Sequence, residues 1–423
     1  MIKFSLPIVV FLLFCITPQQ VLATLRDTLY DDYRTDFYSF VEVRNGWRVD
    51  RNQDEKDASI AESRLQVALS TDLSKAIVKF KGDLVGDLVE EESRAELRDL
   101  SISFSPLNNV DVIAGRQIIT WGTGDLVFIN DLFAKDWESF FIGRDTEYLK
   151  APSDALKTSI FFDAVNLDLV YMPVFHGSQF IDGTRISYWN NLSSKTGDRS
   201  LTVLDEDRNR FGNDSEFAAR LSKNISATEL ALYIYSGFWQ TPEGVNSTTW
   251  NLIYPRLSVY GLSLRAPLLG GIANFETGYY DSRQDPDGDN GFVRNSEIRF
   301  LVGFEHELGT DFTGAFQYYL ELKQDYDAYE RSFSGVKSDD EYRHLLTARL
   351  TKLLMNQNLS LSLFSYYSPS DHDAYLRPKA NYKLTDQWAL EAGGNIFIGK
   401  DDQTFFGQFE DNTNIYTSLR WSY

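Results

Sequence analysis

From about residue 37 to the last residue, apolar and polar side chains alternate in short runs, and each run ends among Gly, Pro, Asn or Asp. Alternation with period two puts successive side chains on opposite faces of a strand. The runs fall near 37–45, 60–70, 75–85, 95–105, 109–120, 156–163, 165–174, 215–223, 225–237, 255–265, 272–282, 292–307, 312–324, 341–352, 359–368, 374–384, 388–398 and 412–423. They predict about eighteen strands. The last run is the clearest, with Ile415, Leu419, Trp421 and Tyr423 on one face and Asn414, Tyr416, Ser418 and Arg420 on the other. One face of such a strand suits hydrocarbon and the other suits water.

The connections alternate in length. Tight turns stand at Thr71-Asp72-Leu73-Ser74, Ser105-Pro106-Leu107-Asn108, Asp163-Ala164-Val165-Asn166, Lys223-Asn224, Gly270-Gly271, Gly309-Thr310-Asp311, Met355-Asn356-Gln357-Asn358 and Thr385-Asp386-Gln387. Between them lie long connections at 46–59, 121–155, 175–214, 238–254, 283–291, 325–340 and 399–411, with shorter ones at 86–94 and 369–373. Short turns on one rim and long loops on the other are the asymmetry of a transmembrane antiparallel β-barrel with both termini at the periplasmic rim. A soluble β-helix or sandwich is the competing all-β reading. The turn pattern argues against it, and no repeat period supports a solenoid. Lipid offers no partner for an open sheet edge, so every strand is needed before the sheet is satisfied. Residues 24–423 therefore read as one domain.

Met1 to Ala23 reads as a secretory signal peptide: Lys3 comes early, an apolar stretch runs from Phe4 to Ile16, and Val21-Leu22-Ala23 suits cleavage after Ala23. The apolar stretch is too short for a spanning helix. The only cysteine, Cys15, lies inside this segment, so the mature chain would carry no thiol for disulfides, thiolate metal sites or nucleophilic catalysis. Aromatics make up 14% of the chain, Met and Pro are few, and mean hydropathy is -0.31, values that suit half-polar strands and not apolar helices. A net charge of -20 argues against nucleic acid as a partner.

The apolar runs assign a lipid face to Leu65, Val67, Leu69; Leu167, Leu169, Tyr171; Leu230, Leu232, Ile234; Phe312, Phe316, Tyr318, Leu320; Leu359, Leu361, Leu363; and Leu390, Ile396, Ile398. The opposite faces carry Arg64, Lys79, Lys81, Glu216, Arg220, Glu297, Arg299, Gln317, Glu321, Arg343, Arg349, Arg377, Lys379, Asn381, Lys383 and Arg420. A charge facing mid-membrane hydrocarbon costs about 2–4 kcal/mol, so these point into the lumen. The lumen is richer in Arg and Lys than the chain as a whole, whose acid gathers in Glu90-Glu91-Glu92, Asp205-Glu206-Asp207 and Asp339-Asp340-Glu341. Two readings stand: the wall cations favour anionic solutes, or they pair with neighbouring carboxylates. Aromatic clusters at Phe37-Tyr38, Phe238-Trp239, Tyr279-Tyr280, Tyr318-Tyr319, Tyr366-Tyr367 and Trp421 with Tyr423 predict interfacial girdles, with sugar stacking as the alternative.

The most distinctive stretch is Gly115-Arg116-Gln117-Ile118-Ile119-Thr120-Trp121-Gly122-Thr123-Gly124-Asp125, followed by a segment to Ala155 that holds Asn130, Asp131, Lys135, Asp136, Trp137, Glu138, Phe140, Phe141, Arg144, Asp145 and Lys150. A structureless connection of this length is usually functional. Folded inward, it would give its aromatics a surface to pack on and narrow a channel with its charges; the alternative is an external lid. The expected pore residues are Arg116, Gln117, Asp125, Asp131, Asp136, Glu138 and Arg144 here, with Arg343, Arg349, Arg377, Lys379, Lys383 and Arg420 on the wall.

Gly-Arg-Gln, a hydrophobic pair, then an aromatic before Gly-x-Gly at a strand end resembles a pattern of large Gram-negative porin-like barrels, including alginate-export-type barrels. The resemblance covers about a tenth of the chain. It implies an eighteen-stranded monomeric channel with an Arg-lined path for an acidic polymer or organic anion. Only Arg116 and Gln117 carry over from the motif. The terminal strand likewise resembles the C-terminal signal read by the barrel-assembly machinery.

Other segments give weaker signals. The loop from Phe175 to Gly212, with Arg185, Tyr188, Trp189, Asn190 and Asn191, could close the outer mouth, bind carbohydrate or cover surface. Asp285-Pro286-Asp287-Gly288-Asp289-Asn290-Gly291 has the alternate oxygens of a calcium loop at Asp285, Asp287 and Asp289. It lacks Gly at the sixth position and Glu at the twelfth, and a plain Asx-Gly turn competes. His176, His306, His344 and His372 are dispersed without metal-ligand spacing, and Asp371-His372-Asp373 reads as a solvated loop. No cofactor and no enzyme activity are expected. The sequence predicts a Gram-negative outer-membrane channel that meets lipid, lipopolysaccharide and small hydrophilic or polymeric solutes. The alternative is a non-conducting barrel serving as an adhesin or as scaffold of an export or electron-transfer complex.

Overall fold

In the computed structural model, each apolar–polar run becomes a strand hydrogen-bonded to its neighbours in sequence. The structure describes residues 19–50, 56–190, 195–197, 204, 208, 210–332 and 339–423. Residues 1–18, with Lys3 and Cys15, lie outside the described residues, as do Asn191 and Asp205-Glu206-Asp207.

The strands are β1 (Thr35–Arg48), β2 (Ala58–Asp72), β3 (Ala76–Asp87), β4 (Glu92–Leu107), β5 (Val110–Gln117), β6 (Ser153–Phe161), β7 (Asn166–Met172), β8 (Glu216–Ile225), β9 (Thr228–Phe238), β10 (Arg256–Leu268), β11 (Gly271–Ser282), β12 (Glu297–Gly309), β13 (Phe312–Lys323), β14 (Tyr342–Leu354), β15 (Leu359–Ser368), β16 (Asp373–Lys383), β17 (Trp388–Ile398) and β18 (Asn414–Ser422). They form one eighteen-stranded antiparallel sheet, and β18 closes it on β1 in the register Phe40↔Ser422 to Arg48↔Asn414. Closure removes the sheet edge, which a membrane demands. Helix α1 (Gln19–Tyr33) precedes β1 and runs through the expected cleavage point, with the Arg26 guanidinium 5.7 Å from the Tyr423 ring centroid. No helix among the described residues is long and apolar enough to cross a membrane.

Paired residues in an antiparallel sheet point to one face. The row Leu69↔Phe80↔Leu100 and the row Tyr171↔Phe217 are therefore outward, and these apolar groups are largely exposed. The assigned lipid faces follow this parity. So do the three Tyr-Tyr doublets expected as girdles, and each of these splits: Tyr279, Tyr318 and Tyr367 face out, while Tyr280, Tyr319 and Tyr366 are buried inside the barrel. Adjacent strand residues cannot share a face. Phe238 and Trp239 are both buried, but in separate clusters, Phe238 packing on Phe175 and Trp239 stacking on Tyr280 with centroids 5.6 Å apart.

Two features shape the interior. In β4, Leu97 pairs with Gly82 and Asp99 with Lys81, so Arg98 is the extra residue of a β-bulge, aimed at the lumen. Strands β5, β6 and β7 are only 8, 9 and 7 residues long. The chain leaves the wall early there, and the segment 118–152 crosses the barrel from that point.

Candidate functional site: a segment folded across the lumen

The segment 118–152 folds because its own caps are in place. Asp136 opens helix α2 (Trp137–Ile142), its side chain accepting a hydrogen bond from the Ser139 N–H at 2.8 Å. Gly143 ends the helix in the left-handed region at φ +86°, and a β-carbon there would stand 2.4 Å from the Tyr416 ring. Only glycine fits. A 3₁₀ turn, Thr146–Leu149, follows under an Asp145 cap.

The segment's apolar side then finds the aromatics on the wall. Ile129, Phe133, Phe140, Phe141, Ile142 and Leu149 are all at most 3% exposed, in a cluster with Tyr280, Tyr366, Tyr375, Phe397 and Tyr416. Phe141 meets Phe397 at 5.5 Å and Phe409 at 5.0 Å, and Tyr375 stacks on Phe397 at 4.5 Å. On the opposite wall Trp121 lies 6.0 Å from Tyr233. This is a dry core inside a membrane barrel, reaching from wall to wall.

Polar wall groups fix the backbone of the segment. Glu276 of β11 is fully buried, and no cation pairs with it among the described residues. Its carboxylate accepts from the N–H of Thr123, from Gly124 at 2.8 Å, and from the backbone and side-chain amides of Asn130 at 3.2 and 3.0 Å. The Tyr280 hydroxyl donates to Ile129 O at 2.5 Å and the Tyr366 hydroxyl to Leu126 O at 2.9 Å. Gln317 accepts from the Asp125 N–H at 2.7 Å, while Arg349 pairs with the Asp125 carboxylate at 2.5 Å. On the other side Arg44 donates to Gly143 O at 2.5 Å, Arg98 to the carbonyls of Glu147 and Lys150 at 3.1 Å each, and Gln66 to the Tyr148 hydroxyl at 3.2 Å. These anchors come from β1, β2, β4, β11, β13, β14 and β15, so the segment is held around most of the circumference.

The ion pairs are equally distributed. Arg144 binds Glu62, which also has Arg64 at 3.6 Å and Arg185 at 3.7 Å. Arg64 pairs with Asp83 at 2.5 Å and Glu96 at 2.9 Å. Arg420 pairs with Glu42 at 2.8 Å and Asp145 at 3.2 Å, and Lys379 with Glu391 at 3.4 Å. The wall cations at this level therefore face carboxylates. Toward the periplasmic rim, Lys79 and Lys383 are exposed; at the level of the segment, Arg377 lies over the Phe140 ring, 3.8 Å away, with no carboxylate partner among the described residues.

Other expected pore residues are placed as follows. Asp131 is buried between the Thr120 hydroxyl at 2.7 Å and Lys135 at 3.0 Å. Glu138 lies between Arg144 at 3.8 Å and Arg185 at 3.5 Å, and burial pushes its carboxyl up to about 7. Arg343 pairs with Asp371 at 3.1 Å beneath the outer loops. The two motif residues take opposite faces of β5. Arg116 is in the outward row with Leu100 and forms a two-pronged pair with Asp154, both contacts 2.8 Å. Gln117 is buried in the wall and donates to Ala155 O at 3.2 Å.

The second long loop also turns inward. Arg185 is buried against Asp87, Glu90 and Glu138, and Trp189 N–H reaches Gln408 Oε1 at 3.1 Å, so this loop joins the final one over the outer mouth. Asp371 is engaged by Arg343, and Asp373 Oδ2 accepts from the amides of Phe406 at 2.6 Å and Gly407 at 3.3 Å; among the described residues no hydrogen bond or ion pair joins either carboxylate to His372. Among the described residues no three His, Cys, Asp or Glu side chains gather as a metal-ligand group.

Sequence reasoning missed Glu42, Arg44, Glu62, Asp83, Arg98 and Glu276. The alternation Glu42, Arg44 and Glu62, Arg64 on inward positions was a visible signal for the first set. Nothing in the sequence signalled that Glu276 holds a loop 146 residues distant.

No family model matches the chain, and no curated protein matches it. Solved structures do. The Acinetobacter baumannii protein OccAB3 matches with TM-score 0.56 at 9% identity, over 92% of this chain and 99% of that one. Pseudomonas aeruginosa OccK5 (OpdH) matches with TM-score 0.54 at 9% identity, over 92% and 97%. Wzi of Escherichia coli, an outer-membrane protein of group 1 capsule assembly described as a carbohydrate-binding β-barrel, matches with TM-score 0.51 at 11% identity, over 95% and 87%. With its closed sheet, outward apolar face and inward-folded segment, the chain has the fold of a Gram-negative outer-membrane porin-type β-barrel of eighteen strands.

Proposed function

We propose that this protein is an outer-membrane channel for hydrophilic solutes whose bore is set by the segment 118–152. The observation that carries the reading is the wall-to-wall seating of that segment, with Glu276, Arg349, Tyr366, Arg44 and Glu62 holding it from both sides. A segment fixed at so many points narrows the path. Solute selectivity then rests on cations without a carboxylate partner among the described residues, Lys79 and Lys383 on the rim below the segment and Arg377 at its own level, and the preference is for anionic or polyhydroxy solutes. Met1 to Ala23 serves as the export signal. The terminal strand, with Leu419, Trp421 and Tyr423 outward, serves as the mark for barrel assembly.

The dry aromatic core favours a second reading, a barrel that conducts nothing and works as a surface or scaffold protein. Purified protein in planar bilayers separates the two. Discrete current steps with an anion-selective reversal potential support the channel, silence supports the scaffold, and cation preference overturns the role given to the rim lysines and Arg377.

A further inference from the structure

The loop between β11 and β12 leaves buried oxygen atoms without partners. Ser282, Asp285 and Asn295 are 0%, 2% and 1% exposed, and Ser282 Oγ, Asp285 Oδ2 and Asn295 Oδ1 each lack a hydrogen bond. A buried polar atom without a partner is costly and calls for an unseen one.

Hydrogen bonds tie these three residues to one turn. The Asp285 N–H donates to Ser282 O at 3.0 Å, and the Ser282 N–H donates to the hydroxyl of Ser296, next to Asn295, at 3.0 Å. Asn295 Nδ2 donates to Gly288 O at 3.4 Å and Gln324 O at 3.2 Å, which leaves its oxygen on the other arm of the amide. Asp285 Oδ1 accepts from the N–H groups of Asp289 and Asn290 at 3.1 Å each. Gly288 itself sits at φ +66°, and a β-carbon there would stand 2.7 Å from Asn295 Nδ2, so the turn and Asn295 are in contact.

The charge around this turn is negative. No Lys or Arg pairs with Asp285 among the described residues, and Arg294, next to Asn295, is taken up by Glu243, Glu297 and Glu321. Asp287 and Asp289 are exposed, unlike the three buried side chains. An all-oxygen set with one uncompensated carboxylate, on a loop of the long-loop rim, suits a hard cation that accepts carboxylate, amide, hydroxyl and water oxygens together.

We propose that Ser282, Asp285 and Asn295 form a Ca²⁺ site that locks the β11–β12 loop, a site distinct from the alternate-aspartate pattern in the sequence because its side chains are buried whereas Asp287 and Asp289 are exposed. The test is calorimetric titration of CaCl₂ into full-length protein refolded in detergent without lipopolysaccharide. One site is expected in the range of roughly 10⁻⁴ to 10⁻³ M that extracellular calcium modules occupy. Asp285→Asn keeps an oxygen for the Asp289 and Asn290 amides, so the barrel folds, as heat-modifiable gel migration will verify, and binding weakens at least about tenfold as the site's only carboxylate is lost. Asp287→Asn with Asp289→Asn leaves the affinity within about threefold. Absence of a calcium-dependent signal in the wild-type protein, which leaves the oxygens to water alone, overturns the proposal. So does binding that survives Asp285→Asn, or binding lost only with the exposed pair.

Discussion

Glu276 shows how one buried carboxylate can position a distant loop. Its four N–H donors all belong to the segment 118–152, and an unsatisfied buried donor costs about 1–3 kcal/mol. Glu276→Ala is therefore expected to loosen the segment while leaving the sheet closed, seen as larger and noisier current steps with unchanged heat-modifiable migration; steps identical to wild type would remove Glu276 from this role. Glu138 gives the pH dependence. Its carboxyl is pushed up to about 7 from an ordinary value of 4.5, chiefly by burial, so the neutral form is the one the closed contact prefers. The stability it contributes is full below pH 4.5 and is lost as pH rises through 7. Conductance is expected to rise between about pH 6 and 8, and Glu138→Gln should abolish that step; a step that persists in the variant places the titration elsewhere. At this scale the sequence was only half readable. Parity put Arg349, Arg377 and Arg420 in the lumen correctly, but the motif residue Arg116 faces outward with Leu100, because nothing in a local motif reports which face of a closed sheet it joins.

At the scale of elements, the strands were legible because a half-buried sheet forces period two on the sequence; β15 and β17 have the expected bounds, and the β18–β1 closure follows from the even count. The long loops were not, since their partners are set by distant wall residues. The inward course of 118–152 was one of two open readings, and its anchors became visible only in three dimensions. Whether the segment is fixed or swings can be asked with a tether. A β-carbon at Gly261 would lie 2.9 Å from Asn130 Cγ, which places the β-carbons of a cysteine pair at these positions near the roughly 3.5–4.5 Å that disulfides need. The chain's sole cysteine, Cys15, lies in the segment expected to be cleaved, so no other thiol competes. Asn130→Cys with Gly261→Cys is expected to oxidise in air and to conduct equally when oxidised and reduced, as a fixed constriction would. A marked rise in conductance on reduction would reveal a moving gate.

For the whole molecule, the net charge of -20 gave little guidance to the interior, because buried Arg and Glu pairs neutralise one another where the segment crosses. What distinguishes this barrel from an open eighteen-stranded tube is the folded segment inside it. Removing residues 126–150 keeps every strand and takes away the aromatic plug, and single-channel conductance in planar bilayers reads the consequence directly. The account predicts small steps for the wild-type protein and steps several-fold larger for the deletion variant, with both barrels heat-modifiable on gels. Equal conductance in the two would contradict the claim that this segment sets the bore.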